Sequence, residues 1–346
     1  MLKTDRPPAR KLQSIEVARG LAAVIVVLYH ASRHIDKNLG FALGKQTFQF
    51  GHAGVDFFFV ISGFIILFIH RPDVDHPNRV VHYWLRRITR IYPIYWFILA
   101  VTIAGTLVSG HMPLPTPFDI IWAATLLPTG TDPIVGVSWT LQYEVLFYIA
   151  FSALILNAQA GLSVLALWLA FILLGLFQAQ TGFAARLTSP YNLEFFFGMA
   201  TALWLLHGTV PQARILFILG FTLFIASCGA EVFGLLDGYK PLARLSYGIP
   251  SAIMILGLVQ LDRTGAIAMP TSLLWLGRSS YSIYLFHLTF IGLAYKLLAA
   301  LNMLEWAPLW TTFGLITIAG IGGSVAVSIF IEYPLMRLIR KSISDR

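Results

Sequence analysis

Long apolar stretches dominate the sequence and restrict it to an α-helical membrane protein. Hydrophobic residues make up 57% of the 346 residues and charged residues only 12%, whereas a soluble domain is about 25% charged. The stretches are too long for the strands of a membrane barrel, and most reach the ~17–25 residues that a helix needs to cross a bilayer. We therefore predict an all-α, polytopic fold of about ten spans. The predicted spans are residues 14–36, 53–70, 92–109, 138–157, 162–179, 191–206, 212–228, 246–261, 280–300 and 309–332.

Lysine and arginine are distributed unevenly between the two sides of these spans. With the N-terminus inside, 16 of the 24 lysines and arginines fall in inner segments and six in outer loops. Cytoplasmic loops carry this excess of positive charge, so both termini are predicted to be cytoplasmic. The net charge of +8 has the same origin and does not indicate a nucleic-acid partner. The domain organisation expected is an N-terminal segment 1–13, one membrane domain 14–335 and a basic tail 336–346.

One further apolar segment, residues 118–128, is too short to span a bilayer. Its flanks, HMPLPTP and LPTGTDP, are rich in proline. The sequence favours a lid-like outer loop or a re-entrant piece over an eleventh span.

The first span, SIEVARGLAAVIVVLYHASRHI, contains two side chains that are costly in lipid. Arg19 and His30 are 11 residues apart, which places them on one helix face about 16 Å apart along the axis. A charge at the bilayer centre costs about 3 kcal/mol, and such residues usually face a bundle interior. The alternative is a snorkelling arginine and a packed histidine. His34, one turn beyond His30, is better explained as a surface residue than as part of a metal site, and no metal is expected.

Three carboxylates are predicted at the depth of His30, in the outer half of the bundle. They are Asp56 in GHAGVDFFFVISGF, Glu144 in VSWTLQYEVLFY and Glu194 in YNLEFFFGM. A carboxylate beside a histidine orients the imidazole as a general base, so Asp56 or Glu144 is expected to orient His30. The alternatives are a helix-start role for Asp56 near the interface and a packing role for Glu194.

The inner side contains a basic cluster in YWLRRITRIYPIYW. Arg86, Arg87 and Arg90 precede the third span, and Arg86 and Arg90 share a helix face. Arginine binds phosphate oxygens in a two-pronged geometry. Anchoring of the helix at the membrane surface is the alternative, but Arg19 points into the same end of the bundle. We therefore expect a basic inner mouth for a phosphate-rich ligand.

Three further residues complete the candidate set. Ser62 lies in the same motif as Asp56, and His287 in SSYSIYLFHLTF and Glu332 in IEYP are assigned to the inner half. Pairing of Glu332 with Arg337 is the alternative for that residue.

Taken together, these motifs resemble the membrane-bound acyltransferase-3 family, and within it the bacterial exopolysaccharide and O-antigen O-acetyltransferases. The resemblance extends over residues 12 to 335, and its most specific element is the Arg19–His30 spacing. It implies ten spans, a cytosolic acyl-CoA donor, usually acetyl-CoA, and a sugar hydroxyl as acceptor. It also implies that Arg19 and His30 are the essential pair and that Arg86, Arg87 and Arg90 serve the donor. Many relatives have glutamine at the position of Asp56 or carry a periplasmic esterase-like domain, which we do not expect here.

We interpret the chain as a bacterial inner-membrane O-acyltransferase. The partners expected are acetyl-CoA as co-substrate, a polysaccharide or polyprenol-linked glycan as acceptor, and the lipid bilayer; no bound cofactor is expected, and homo-oligomerisation is left open. The alternative is a proton-coupled transporter or flippase, because intramembrane histidines and carboxylates also form proton relays. The lack of an inverted repeat in the sequence and the basic inner mouth both disfavour it.

Overall fold

The computed structural model describes residues 12–42, 47–109, 114–128, 131–176 and 181–344, and all helices and turns named below lie within these ranges. The predicted segment 1–13 lies almost entirely outside them. In chain order the helices are α1 (Gln13–Leu39), α2 (Ala53–His70), α3 (Val80–Ser109), α4 (Pro117–Thr125), α5 (Trp139–Leu156), α6 (Ala158–Gly175), α7 (Gly182–Leu187), α8 (Asn192–His207), α9 (Ala213–Val232), α10 (Pro241–Arg263), α11 (Thr271–Arg278), α12 (Ser280–Ala300), α13 (Met303–Trp306), α14 (Leu309–Val327) and α15 (Tyr333–Ser344).

The all-α, polytopic fold is confirmed. In the described part of the chain, nine helical segments are long and apolar enough to cross a bilayer. The remaining predicted span, 191–206, is the sixth in chain order and forms α8, which has 16 residues and falls just below the lower limit of about 17. Pro190 ahead of the helix and the C-cap Gly208 limit its length. The helix packs between α2 and α10.

The short apolar segment 118–128 forms α4 and turns back along α3. Its start is stabilised by a capping box, in which Thr116 and Asp119 exchange side chain-to-backbone hydrogen bonds. At its end, the carbonyl oxygens of residues 123–125 accept hydrogen bonds from Tyr95, Trp96 and Tyr92, with distances of 2.8, 2.9 and 2.8 Å. These three donors lie near the middle of α3, so the structure favours the re-entrant alternative over an outer lid.

The chain then enters the bundle through a short 3-10 turn, Gly136–Ser138. Val137 and Ser138 are buried, and the carbonyl oxygen of Val137 accepts a 3.0 Å hydrogen bond from the hydroxyl of Tyr284 in α12. As a result, α5 begins inside the bundle rather than at its surface.

Helices α2 and α8 cross at two glycines. A Cβ atom on Gly198 would lie 2.6 Å from the backbone nitrogen of Phe64, and one on Gly63 would lie 2.8 Å from the Cα of Phe195. Small residues allow this close approach of membrane helices. The crossing brings the preceding turns of both helices together, and these turns carry Asp56 and Glu194.

We expect Gly198→Ala to destabilise the protein, because the added methyl group has no space at the crossing. Overpacking of this kind costs about 1–3 kcal/mol. Gly292→Ala in α12 is the matched control, since a Cβ there meets no atom within 4 Å and alanine favours a helix by about 1 kcal/mol. Thermal unfolding of both variants in detergent measures the difference, and an equal midpoint for both would show that α2 and α8 are not in backbone contact.

Candidate active site

A small cavity of about 60 Å³ lies between α1, α2, α3, α5 and α12. The polar side chains that line it are Arg19, Ser62, Arg87, Arg90, Thr140, Glu144, Tyr148, Ser280, Tyr281 and Tyr284. The sequence had placed some of these residues at opposite ends of the bundle.

The three arginines of this cavity have no direct ionic partner in the part of the chain that the structure describes. Among the described residues, none of Arg19, Arg87 and Arg90 lies within 4.0 Å of a carboxylate oxygen, whereas Arg244 and Arg278 do. Glu144 and Glu332 interact with Arg19 only at longer range. Three unpaired guanidinium groups around one space form a site for an anion, because arginine binds oxyanions in a fixed fork geometry.

Arg87 is held in position by residues that the sequence did not indicate. Its Nη2 atom donates a 2.9 Å hydrogen bond to Nε2 of His70, so the other ring nitrogen of His70 carries the proton and donates to Asp73 at 2.8 Å. The guanidinium group also lies over the rings of Tyr83 and Tyr148, at 5.9 and 5.7 Å from their centroids. These contacts fix the direction in which Arg87 faces the cavity.

Arg86 is located differently from the expectation. It was predicted to share the functional face of its helix with Arg90, but it is exposed and does not line the cavity. The buried face of α3 is centred on Tyr83, Arg87 and Ile91, and Arg90 lies at the edge of this face. Arg86 is a further 40° around the helix, on the exposed side.

The position of Glu144 also differs from the prediction. It was expected beside His30 in the outer half, yet it lies in the cavity with the arginines. Ser62 donates a 3.4 Å hydrogen bond to its Oε1 atom, and the Tyr148 hydroxyl donates to the same oxygen. The cause is the re-entrant segment, because α5 starts inside the bundle and its second turn therefore reaches the level of the arginines.

His30 lies against a second histidine rather than against a carboxylate. The ring centroids of His30 and His287 are 5.0 Å apart, and in the described part of the chain no carboxylate pairs with His30. His287 was assigned to the inner half, and this was wrong. The backbones of Gly20 and Gly277 are in contact, and ten residues lead from each of them to the two histidines, so α1 and α12 bring these side chains to one level.

The hydrogen bonding of His287 defines its tautomer. Its Nδ1 atom lies 3.0 Å from the carbonyl oxygen of Ile283, and a carbonyl oxygen only accepts, so Nδ1 carries the proton. Nε2 then holds a free lone pair. This atom is buried and has no hydrogen-bond partner among the described residues. His287 therefore presents a hydrogen-bond acceptor in the interior, beside the half-buried His30.

Asp56 belongs to a separate group of buried charges, which we call the Asp56 cluster. Its carboxylate forms a 2.8 Å ion pair with Arg244 of α10, and both side chains are buried. Glu194 interacts with both of them. His52 lies on the other side, with Nδ1 at 3.9 Å from Asp56 and Nε2 at 2.9 Å from Glu231. The cluster keeps Asp56 away from His30, contrary to the expected pairing.

The sequence contained only weak signals for the new members of this cluster. His52 precedes Asp56 by four residues and so shares its helix face. Glu231, which also accepts a 2.5 Å hydrogen bond from Tyr247, and Arg244 were outside the predicted spans and were counted with the loops. The helices that carry Glu231 and Arg244 extend beyond the apolar runs, so hydropathy did not indicate that these two side chains are buried.

Glu332 lies in a single π-helical turn, Ser328–Glu332, between α14 and α15. Turns of this kind are frequent at functional sites. Its carboxylate accepts hydrogen bonds from Ser282 at 2.6 Å and from Ser328 at 3.1 Å, and it does not pair with Arg337 in the described part of the chain. It does not line the cavity, but it interacts at longer range with Arg19 and Arg90.

The sequence matches one protein family over nearly its whole length. The family is described as an acyltransferase domain, and its profile covers residues 12–332. No solved structure matches the chain.

Three curated proteins illustrate the similarity. The exopolysaccharide production protein ExoZ of Rhizobium meliloti (strain 1021) is 31% identical over 301 residues, which are 84% of this chain and 91% of that protein. The putative membrane-bound transacylase BcsY of Komagataeibacter xylinus is 25% identical over 83% of this chain and 75% of its own length. The peptidoglycan O-acetyltransferase OatA of Listeria monocytogenes is 29% identical over 105 residues, 30% of this chain and 15% of that protein.

We expect Arg244→Gln to destabilise the protein more than Asp56→Asn. Removing one partner of a buried ion pair costs about 3–5 kcal/mol, and without Arg244 the carboxylates of Asp56 and Glu194 both lose their counter-charge. In Asp56→Asn, Glu194 still compensates Arg244. Chemical unfolding in detergent compares both variants with Arg214→Gln, an exposed control; a destabilisation by Arg244→Gln no larger than that of the control contradicts the buried pair.

Proposed function

We propose that this chain, which belongs to the acyltransferase family whose profile covers residues 12–332, uses an acyl-CoA as its donor. The chain is a multi-pass membrane O-acyltransferase. In this proposal acetyl-CoA is bound from the cytoplasm in the arginine-lined cavity. The acceptor is a hydroxyl of a cell-surface or lipid-linked polysaccharide. Residues 14–335 act as one membrane domain in the bacterial inner membrane, with both termini in the cytoplasm.

The proposal is carried by three arginines that face one cavity and have no carboxylate partner within the described ranges. Coenzyme A contains several phosphate groups, and arginine forms short, charge-assisted hydrogen bonds with phosphate oxygens. Arg87 is already oriented by His70, Tyr83 and Tyr148, so little of its side-chain freedom is lost when a phosphate binds. Glu144 and Glu332 partly offset the positive charge of Arg19 at longer range.

The length of α1 relates the donor end of the site to the histidines. Arg19 and His30 are about 16 Å apart along the helix. An acyl-CoA suits this separation, because its acyl group is carried at the end of a long, flexible arm that extends away from the phosphates. The arginines then hold the phosphates while the thioester reaches the level of His30.

We assign the chemistry to His30 and the support of its ring to His287. His30 acts as a general base that removes the proton from the acceptor hydroxyl, or as the residue that briefly carries the acyl group. In direct transfer, the new C–O bond forms, the C–S bond breaks, and the proton held by His30 passes to the leaving thiolate. In this reaction His30 turns one ring N–H toward the lone pair of His287, whose ring centroid lies 5.0 Å away, and this new hydrogen bond fixes the His30 ring. Ser62 and Glu144 belong to the donor cavity, and Asp56 and Glu194 stabilise the fold around it.

The donor assignment is tested by comparing neighbouring arginines of equal charge. Arg87→Ala should raise the dissociation constant for acetyl-CoA about 10–100-fold, because a hydrogen bond to a charged group contributes about 1.5–3 kcal/mol. Arg87→Lys should also weaken binding, since lysine lacks the planar guanidinium group that binds two oxygen atoms at once. Arg86→Ala is the matched control and should change the constant less than threefold, because Arg86 is exposed outside the cavity. Calorimetric titration of the purified proteins gives the constants, and equal effects of both alanine variants refute the assignment.

The role of the histidines is tested by transfer rates as a function of pH. His30→Ala should retain the affinity for acetyl-CoA and lose about 10²–10⁴-fold in rate, the usual contribution of a general base. The wild-type rate should rise with pH, because only the neutral imidazole removes a proton. Inverted membrane vesicles that contain the glycan acceptor, supplied with acetyl-CoA, provide the assay.

Two variants of His287 distinguish a role in positioning His30 from a role in packing alone. His287→Phe removes the acceptor that favours protonated His30, so both the rate and the pH of half-maximal activity should fall. His287→Gln retains an acceptor oxygen and should stay closer to wild type in both quantities. A well-folded His30→Ala protein with more than a tenth of the wild-type rate rejects His30 as the base. Identical pH profiles for His287→Phe and wild type reject the role of His287.

A further inference from the structure

The loop between α9 and α10, residues 233–240, is fastened to the Asp56 cluster. The buried side chain of Arg244 donates a hydrogen bond to the carbonyl oxygen of Gly238. Gly238 lies directly on the His52–Glu231 pair, so closely that a Cβ atom would collide with both side chains. The backbone nitrogen of Tyr239 donates to the Asp237 carboxylate at 3.0 Å. The loop therefore has a defined position over buried charges.

This loop holds Tyr239 with one ring face covered and the other open. The ring stacks on His52, with centroids 5.1 Å apart and planes 28° from parallel. The Tyr239 hydroxyl forms a 2.5 Å hydrogen bond with the hydroxyl of Tyr29. Tyr239 nevertheless remains 60% exposed, which means that the face opposite His52 is accessible.

Tyr29 connects Tyr239 to the proposed catalytic histidine. The ring of Tyr29 lies 4.9 Å from that of His30, at 73° to it. Tyr29 is thus in contact with His30 on one side and with Tyr239 on the other. Only one aromatic ring separates the exposed platform from the imidazole.

We propose that Tyr239, held by Tyr29 and His52, is a stacking platform for a sugar ring of the acceptor glycan. This inference rests on the proposed function, because it supplies the acceptor side of that reaction. One face of a pyranose ring is made of C–H groups with a small positive charge, which suits the negative face of an aromatic ring. A sugar ring that stacks on Tyr239 keeps its hydroxyl groups at the rim and holds the glycan beside Tyr29, which contacts His30.

Membrane anchoring does not account for the contacts of Tyr239. Aromatic belts place tyrosine at the membrane surface, but an anchor needs neither a stacked histidine nor a hydroxyl partner. In the same loop, Phe233 and Leu235 are 81% and 84% exposed and fit the anchoring role better. A tyrosine that is held in one orientation loses little conformational entropy on binding, which favours recognition.

The test measures the acceptor KM of variants at Tyr239. The acceptor is the surface polysaccharide of the native host, stripped of O-acyl groups with base and hydrolysed to short oligosaccharides; acetyl-CoA is held at saturation. Tyr239→Leu should raise the acceptor KM about 3–10-fold, since an aromatic contact of this kind contributes about 0.5–1.5 kcal/mol. Tyr239→Trp should keep the KM at or below the wild-type value. Phe233→Leu in the same loop is the matched control and should leave it unchanged.

Gly238→Ala provides a second variant that leaves Tyr239 itself intact. The added methyl group lifts the loop from the His52–Glu231 pair, so the acceptor KM should rise here as well. The dissociation constant for acetyl-CoA should remain at the wild-type value in all variants, which also verifies folding. A Tyr239→Leu protein with the wild-type acceptor KM overturns the platform while leaving the proposed function intact. A wild-type protein that neither binds acetyl-CoA nor acylates the oligosaccharides overturns both.

Discussion

The cost of exposing an ionisable side chain to lipid determines how the helices of this protein contact each other. Each arginine or carboxylate inside a span must face protein, a ligand or water, since a charge at the bilayer centre costs about 3 kcal/mol or more. Arg19, Arg87 and Glu144 accordingly turn toward one cavity between five helices, while Asp56 and Arg244 turn toward each other. The apolar faces of the helices are left for lipid, as the many exposed leucine, isoleucine and phenylalanine side chains show.

The two groups of charged side chains are kept away from lipid in different ways. In the Asp56 cluster, positive and negative side chains neutralise each other at hydrogen-bonding distance, so the cluster holds helices and a loop together. In the cavity, the three arginines are left without a carboxylate within 4.0 Å among the described residues, and the two nearest carboxylates accept hydrogen bonds from hydroxyl groups instead. Since unpaired buried charge is costly, its retention in one place indicates a function that the neutralised cluster does not have.

The apolar runs predicted the fold class, the positions of nearly all spans and the candidate residues, because hydropathy depends only on local sequence. The same reasoning placed Glu144 and His287 at the wrong depth, since depth was counted from the end of each span. The re-entrant segment moves the start of α5 into the bundle, and the Gly20–Gly277 contact sets the level of α12 against α1. The packing of the re-entrant segment and the Gly20–Gly277 contact are both tertiary contacts between distant parts of the chain, which hydropathy does not detect. Arg244 and Glu231 were missed for a related reason, because their helices extend beyond the apolar runs that define a span.

The re-entrant segment also determines how the start of α5 meets α12. The 3-10 turn at residues 136–138 lies against α12, where the Tyr284 hydroxyl donates a hydrogen bond to the Val137 carbonyl oxygen and accepts one from Thr140. Thr140 and Tyr284 both line the cavity, so this contact forms part of its wall. In the proposed reaction, such a wall excludes water on this side of the thioester, where it would otherwise compete with the acceptor hydroxyl.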